Sequence, residues 1–450
     1  MRMDKDKSSN GKIVPEALVI GAGIAGMQAA LDIADKGFRA HLVEKDPSIG
    51  GHMAQLDKTF PTLDCSACII TPKMVDVANH PNIRLYTYSE VAEVTGSAGN
   101  FRVKIKKNPT YVDPSRCTGC GDCIEACGLK KGVPSAFDEG LAHRKAIYIS
   151  FPQAVPLKAV VDRKSCLLLS QGKCKKSCVE VCTARAIDFE QKEELIELEV
   201  GSIIVATGFD LFNPTLKPEF GYKVYPNVLQ GLELERLCSA SGPTQGEIEI
   251  EGKKPKDVVF IHCVGSRDKT VGNDYCSSVC CMATAKQAHV LRDKIPEARI
   301  TVLYMDMRAF GKGYEEFYNR IQEERIIYRR GNPSEVFRRN GKLVVKGEDT
   351  LLGESFEMET DLVVLAAGII PRKEDEILKD ILRLERSSDR FYAGVPGLDP
   401  IPTRVEGIFL AGCCQAPKDI PDTVAQASGA ASLACAILAS GRRQKTESRG

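Results

Sequence analysis

The chain lacks several things that would direct the reading elsewhere. No apolar run reaches the ~18–20 residues that a helix needs to cross a bilayer, so no membrane span is expected. The opening residues, MRMDKDKSSNGK, are charged and contain no apolar core, so they do not read as a secretory signal. Charge of one sign is missing too: 61 Lys+Arg against 60 Asp+Glu leave +1, which offers nothing to nucleic acid or an anionic membrane. The six histidines show no paired metal-ligand spacing. These absences predict a cytoplasmic chain with no transmembrane segment and no nucleic-acid partner. The 450 residues, 43 % hydrophobic and 27 % charged, suffice for two to four globular domains.

What is abundant is cysteine. Eighteen cysteines in a compartment that keeps thiols reduced point to metal or redox chemistry rather than to disulfides. Eight fall between Cys117 and Cys182 and four between Cys263 and Cys281, with pairs at Cys65/Cys68 and Cys413/Cys414. Cys238 and Cys435 stand alone and are expected to pack as small apolar residues.

Around these groups the chain reads as α/β. In EALVIGAGIAGMQAALDIADKGFRAHLVEKD, strand, glycine turn, helix and strand follow one another, and NIRLYTYSEVAEVTGSAGNFRVKIKK alternates like a β meander. The cysteine-dense stretch begins abruptly at Asn108, and strand-like IELEVGSIIVATGFD resumes afterwards. A weaker copy of the same order follows in KDVVFIHCVGSRD, CCMATAKQAHVLRDK, RITVLYMDM and METDLVVLAAGIIP, and GIFLAGC with an Ala-rich helix closes the chain. The expected organisation is therefore two Rossmann-like dinucleotide-binding units with an α+β insert in the first. A disordered tail at 1–15 precedes a first-unit segment at 16–107, the insert at 108–191 and a second first-unit segment at 192–250. The second unit is expected at 251–360, the last part of the first unit at 361–440 and a disordered tail at 441–450.

GAGIAG places Gly21, Gly23 and Gly26 in a G-x-G-x-x-G turn between strand and helix, with Ile24 and Ala25 at the helix start. The glycines permit the tight turn, the approach of a pyrophosphate and close helix–strand packing. Glu44, followed by Lys45 at the end of the second strand, has the spacing of an acid that binds ribose hydroxyls. The fingerprint alone does not separate FAD from NAD. The N-terminal position and the later segments at Ala206-Thr207-Gly208 and 407–413 favour FAD, and they resemble two-dinucleotide-fold flavoproteins related to thioredoxin reductase. Gly51, Gly412, Cys413, Asp422 and Thr423 complete the expected flavin contacts, with Gly412-Cys413 standing where those relatives carry Gly-Asp.

Cys117, Cys120, Cys123 and Cys127 are spaced C-x2-C-x2-C-x3-C, the bacterial ferredoxin run, in which the fourth cysteine serves the other cluster. By that interlocked logic Cys117, Cys120, Cys123 and Cys182 hold one 4Fe–4S cluster, and Cys166, Cys174, Cys178 and Cys127 hold a second. Zinc sites favour paired hooks across a longer spacer rather than a triple hook. Cys263, Cys276, Cys280 and Cys281 match neither pattern. We expect them to hold a third 4Fe–4S cluster beside the flavin, which requires a helix that begins at the cluster. The second unit has Cys263, Gly265 and Asp268 where the first has its three glycines, so it is not expected to bind NAD(P).

FPTLDCSACIITPKM, CTGCGDC, FPQAVP, CVGSRD, CSSVCCM, RAFGKGYEEFY and AGCCQAPKDIPDTVAQAS together resemble the flavin-containing A subunit of heterodisulfide reductase, from about residue 15 to 440. The resemblance implies an electron-transfer flavoprotein that relays electrons between iron–sulfur clusters through FAD and works only within a complex. It implies the complex's other subunits as partners, a ferredoxin or a hydrogenase- or formate-dehydrogenase-linked iron–sulfur protein as electron partner, and a homodimer of this chain. Full methanogen versions bifurcate electrons between the heterodisulfide and ferredoxin, and carry an extra N-terminal domain and a C-terminal ferredoxin domain without counterparts here. Similar subunits serve sulfur metabolism and an acyl-CoA reductase. The alternative is a self-contained NAD(P)H-dependent disulfide oxidoreductase that uses Cys65 and Cys68 as its dithiol, and a packed turn is an equal reading of that pair.

Overall fold

In the computed structural model, residues 13–447 are described, apart from Pro396 and Leu398. Short apolar runs such as ALVI and SIIV are buried on both faces, as the strands of a parallel sheet between helices must be. They assemble a five-stranded parallel sheet in the order Ile408–Leu410, Ser202–Val205, Glu16–Ile20, Arg39–Val43, Ile83–Tyr86. Helix Ile24–Asp35 buries an alanine-rich face against it, and the long closing helix Ile420–Glu447 packs alongside through Ala427, Ala430, Ala431, Ala434 and Leu438. An antiparallel three-stranded sheet of Glu194–Val200, Asn100–Lys107 and Ser89–Ser97 completes this unit.

The second unit repeats the plan. Its parallel sheet runs Val228–Gln230, Leu362–Ala367, Asp257–Val264, Arg299–Tyr304, Ile327–Arg330, with an antiparallel sheet of Glu335–Arg339, Lys342–Asp349 and Glu354–Thr360. A short pairing of Asp210–Leu211 with Ile369–Ile370 ties the two units together. Residues 108–191 leave and re-enter through Asn100–Lys107 and Glu194–Val200, two strands paired with each other, so the insertion does not disturb the sheet. The insert has its own small core around Tyr111, Cys123, Ile147, Val161 and Cys166.

Several expectations need correction. Strand Ile83–Tyr86 joins the parallel sheet rather than a meander. The unit boundaries move: Val228–Gln230 and the helix Gly231–Cys238 belong to the second unit, not to a first-unit segment reaching 250. Leu362–Ala367 is likewise a central strand of the second unit, hydrogen-bonded on both sides, so that unit does not end at 360. Of the N-terminal tail, 1–12 lie outside the described residues, and Val14 already donates to the Gly99 carbonyl at 2.8 Å. Residues 441–447 continue the closing helix, and 448–450 lie outside the described residues. That helix, over Ile420–Ser440, is also long and apolar enough to cross a membrane by composition, with a mean hydropathy of 1.4. Its buried alanines, Ala427, Ala430, Ala431 and Ala434, belong to the same core as the Ile24–Asp35 helix.

Candidate functional site

A cavity of about 500 Å³ opens where the two units and the insert meet. At one end the glycine turn shapes it. Gly21 has φ +97, and a Cβ there would lie 2.4 Å from the Ala206 carbonyl oxygen. A Cβ on Gly26 would lie 1.8 Å from the Gly21 oxygen, so that glycine serves helix–strand packing and does not line the cavity. A Cβ on Gly23 would meet nothing within 4 Å, leaving the backbone open to the cavity where a pyrophosphate would lie at the helix start. Glu44 is buried here and accepts from the Ala22 amide at 2.7 Å and the Asp46 amide at 3.0 Å. Burial pushes its carboxyl above the usual range despite those two donors.

Ile24, Ala25, Gly51, Ala206, Thr207, Gly208, Cys413 and Thr423 also line the cavity. Besides Gly26, three expected contacts do not. Lys45 pairs with Glu374 toward the surface, Gly412 donates its amide to Gln426 at 2.8 Å, and Asp422 is exposed. Asp419 faces the cavity in place of Asp422, hydrogen-bonded to the Tyr314 hydroxyl. Beside it Lys418 donates to the carbonyls of Gly412 at 2.8 Å and Ala416 at 2.7 Å, and burial lowers its affinity for a proton.

The other end of the cavity belongs to the second unit. Helix Cys280–Lys294 begins at Cys280 and turns Cys280, Ala283, Thr284 and Gln287 toward the cavity, the i, i+3, i+4, i+7 face of one helix. Lys286 reaches it too and forms a buried ion pair with Glu235, whose carboxylate also takes Gln287 Nε2 at 2.7 Å and the Asp57 amide at 3.1 Å. The sequence reading missed this pair. The helical stripe starting at Cys280 was the signal that could have revealed its Gln287 partner.

The remaining glycine of the second unit's turn contrasts with Gly23. Gly265 has φ +71, and a Cβ there would fall 2.1 Å from the ring of Phe212, which is buried against it. Asp268 is tied to Lys217 at 3.0 Å. An aromatic ring thus occupies the close approach that a pyrophosphate needs.

The structure brings the cysteines together in three groups. Cys123 faces Cys117, Cys120 and Cys182, and burial together with these thiols pushes it up to about 12. Cys178 faces Cys127, Cys174 and Cys166, and burial first, then these thiols, push it up to about 11. Cys280 lies among Cys263, Cys276 and Cys281 and is raised well above the ordinary thiol range, chiefly by burial. Among the described residues no three Cys, His, Asp or Glu side chains converge as a single ion requires. Each group offers four thiols, the donor set that a 4Fe–4S cube takes at one thiolate per iron. Cys65 and Cys68 are disulfide-bonded with Cα atoms 5.2 Å apart, exposed at the start of helix Ser66–Asn79, and neither lines the cavity.

Comparison with known proteins bears on this geometry. Residues 15–431 match the family described as pyridine nucleotide-disulphide oxidoreductase. The chain is 52 % identical over 440 residues to the A subunit of the H(2):CoB-CoM heterodisulfide,ferredoxin reductase of Methanothermobacter marburgensis, covering 97 % of this chain and 66 % of that one. It is 45 % identical to a protein of Archaeoglobus profundus described as like the A subunit of heterodisulfide reductase, covering 96 % and 67 %. The chain belongs to the family of heterodisulfide reductase A subunits. A further member, one of the iron-sulfur A subunits of the CoB--CoM heterodisulfide reductase of Methanopyrus kandleri, is 54 % identical, covering 95 % of this chain and 65 % of that one. The chain therefore spans about two thirds of the length of these curated relatives. Among solved structures, thioredoxin reductase from T. acidophilum has a TM-score of 0.52 at 15 % identity, covering 95 % of this chain and 99 % of that one. The Lactococcus lactis enzyme scores 0.51 at 14 %, covering 94 % and 99 %. These likenesses establish the α/β dinucleotide-binding fold of the family.

Proposed function

We propose that the chain holds FAD in this cavity and relays electrons between the flavin and three 4Fe–4S clusters, as a cytoplasmic subunit of a heterodisulfide-reductase-like complex. The observation that carries the proposal is the position of Cys280, which belongs at once to the cavity wall and to the third cysteine group. Bound FAD supplies exchange of one or two electrons, and the clusters supply single-electron steps. The chain's own residues do the rest. Gly23 leaves room for the pyrophosphate, Glu44 is placed to accept from ribose hydroxyls, Lys286 puts a cationic group at the second-unit end, and Lys418 lines the wall beside Asp419. Helix Cys280–Lys294 aims its N-terminus at the third cysteine group, where its dipole favours thiolates. The insert, read as a bacterial-type ferredoxin module with two clusters, supplies the outward path. The relatives' names support partner subunits, and ferredoxin or a hydrogenase- or formate-dehydrogenase-linked protein suits the exposed module as an electron partner.

The test is Cys280→Ser in anaerobically prepared protein, with FAD, iron and EPR spectra measured together. Loss of about four irons per chain and of one cluster signal, with FAD retained, is the expected result. Unchanged iron and spectra would remove the third cluster from the proposal. The rival reading, a self-contained NAD(P)H:disulfide oxidoreductase, is disfavoured by the Phe212 ring against Gly265 and by Cys65 and Cys68 lying off the cavity.

A further inference from the structure

The insert does more than carry cysteines. Its segment Ser135–Phe151 contributes Ser135, Phe137, Glu139, Arg144, Tyr148 and Phe151 to the wall of the cavity that Glu44 and Asp46 also line. The docking is specific. The Ile49 amide donates to the Val155 carbonyl at 2.9 Å, the Val155 amide donates to Ser48 Oγ at 3.0 Å, and a Cβ on Gly50 would lie 3.8 Å from the Phe151 ring. The insert is thereby fastened to the loop directly after Glu44, the residue placed at the ribose. In a dinucleotide bound at such a turn the base lies beyond that ribose, away from the pyrophosphate.

Arg144 stands on this wall. Its guanidinium carbon lies 3.8 Å from the centroid of the Tyr148 ring. One nitrogen donates to Asp162 at 3.0 Å and another to the Lys145 carbonyl at 3.1 Å. Both partners hold the fork in its own plane, so the orientation is fixed from within the insert. A guanidinium held over one aromatic ring can stack with its other face against a further flat π system, a preference that lysine does not share. Tyr148 lines the cavity as well, and burial pushes its hydroxyl up to about 12, so it stays a neutral backing ring.

We propose that the insert completes the dinucleotide site, with Arg144, backed by Tyr148, as the platform on which the adenine of FAD stacks. The inference rests on the reading of the cavity as an FAD site. It makes retention of the flavin depend on the iron–sulfur insert, a contribution that the glycine fingerprint of the first unit does not include.

The test uses the complete protein with flavin and clusters loaded. Parent, Arg144→Lys and Tyr148→Leu are diluted anaerobically, and FAD release is followed by the rise of free-flavin fluorescence. R144K keeps a cation for Asp162 but removes the plane. Release at least tenfold faster in both variants is expected, with iron content and the visible flavin spectrum unchanged, because neither the cysteines nor the isoalloxazine end is touched. Release within twofold of the parent in both variants overturns the proposal. So does release that accelerates only in step with iron loss, which would place the effect in the insert's own folding. A parent that holds no FAD overturns the flavin reading itself, an outcome visible without any variant.

Discussion

Single residues in the cavity wall separate binding from folding. Gly23 and Gly26 belong to the same motif, yet a side chain on the first would enter open cavity and one on the second would strike the Gly21 carbonyl. Gly23→Val should therefore leave the melting temperature of flavin-free protein unchanged while FAD content falls by more than tenfold. Gly26→Ala should cost about 1–3 kcal/mol of stability through overpacking, seen as a lower melting temperature. Asp375 offers a pH-dependent case. It is buried, accepts from Thr207 Oγ1 at 3.1 Å, and is raised to about 6, chiefly by burial. A carboxyl whose folded pKa lies above its unfolded value binds its proton more tightly in the folded state, so its ionisation costs stability as pH rises. That cost should be absent below about pH 4, grow between about 4 and 6, and be complete above. Asp375→Asn should raise the melting temperature at pH 7.5 and flatten its fall between pH 4 and 6, with a gain of at most about 2–3 kcal/mol. An identical pH profile in the variant would contradict this account.

At the scale of elements, the joints between helices carry the account. The Lys286–Glu235 pair links helix Cys280–Lys294 to helix Gly231–Cys238 at the cavity wall. Lys286→Met leaves a buried carboxylate with only neutral donors and should destabilise by about 3–5 kcal/mol in chemical denaturation. Adding Glu235→Gln should recover most of that loss, and no recovery would mean that the pair is not what holds the joint. The strands and helices with strong periodicity were legible in the sequence, from Glu16–Ile20 to the closing helix, because burial on two faces or one leaves an unmistakable pattern. Cys123 standing among Cys117, Cys120 and Cys182 was legible for the same kind of reason, since the spacing of a ligand run constrains its geometry. Unit boundaries were not. Strand Leu362–Ala367 looks in sequence like its counterpart Ser202–Val205, and only its pairing with Val228–Gln230 and Asp257–Val264 assigns it to the second unit. The wall supplied by Arg144 and Tyr148 was hidden because the contact joins residues about a hundred positions apart, between modules that each look complete alone.

For the whole molecule, the central claim is that one flavin cavity and three thiolate groups form a single electron path across two dinucleotide-binding units and an insert. A second-unit turn closed by Phe212 should show no saturable NADH binding at micromolar concentration, and calorimetric detection of such binding would restore the pyridine-nucleotide reading. The most direct measurement counts cofactors. Iron, zinc, acid-labile sulfide and FAD should be quantified in one anaerobically purified sample of the complete chain. The account predicts about one FAD, about twelve irons and about twelve sulfides per chain, one 4Fe–4S cube being proposed for each of the three four-cysteine groups. About four irons or fewer per chain, or zinc in place of iron, would contradict it.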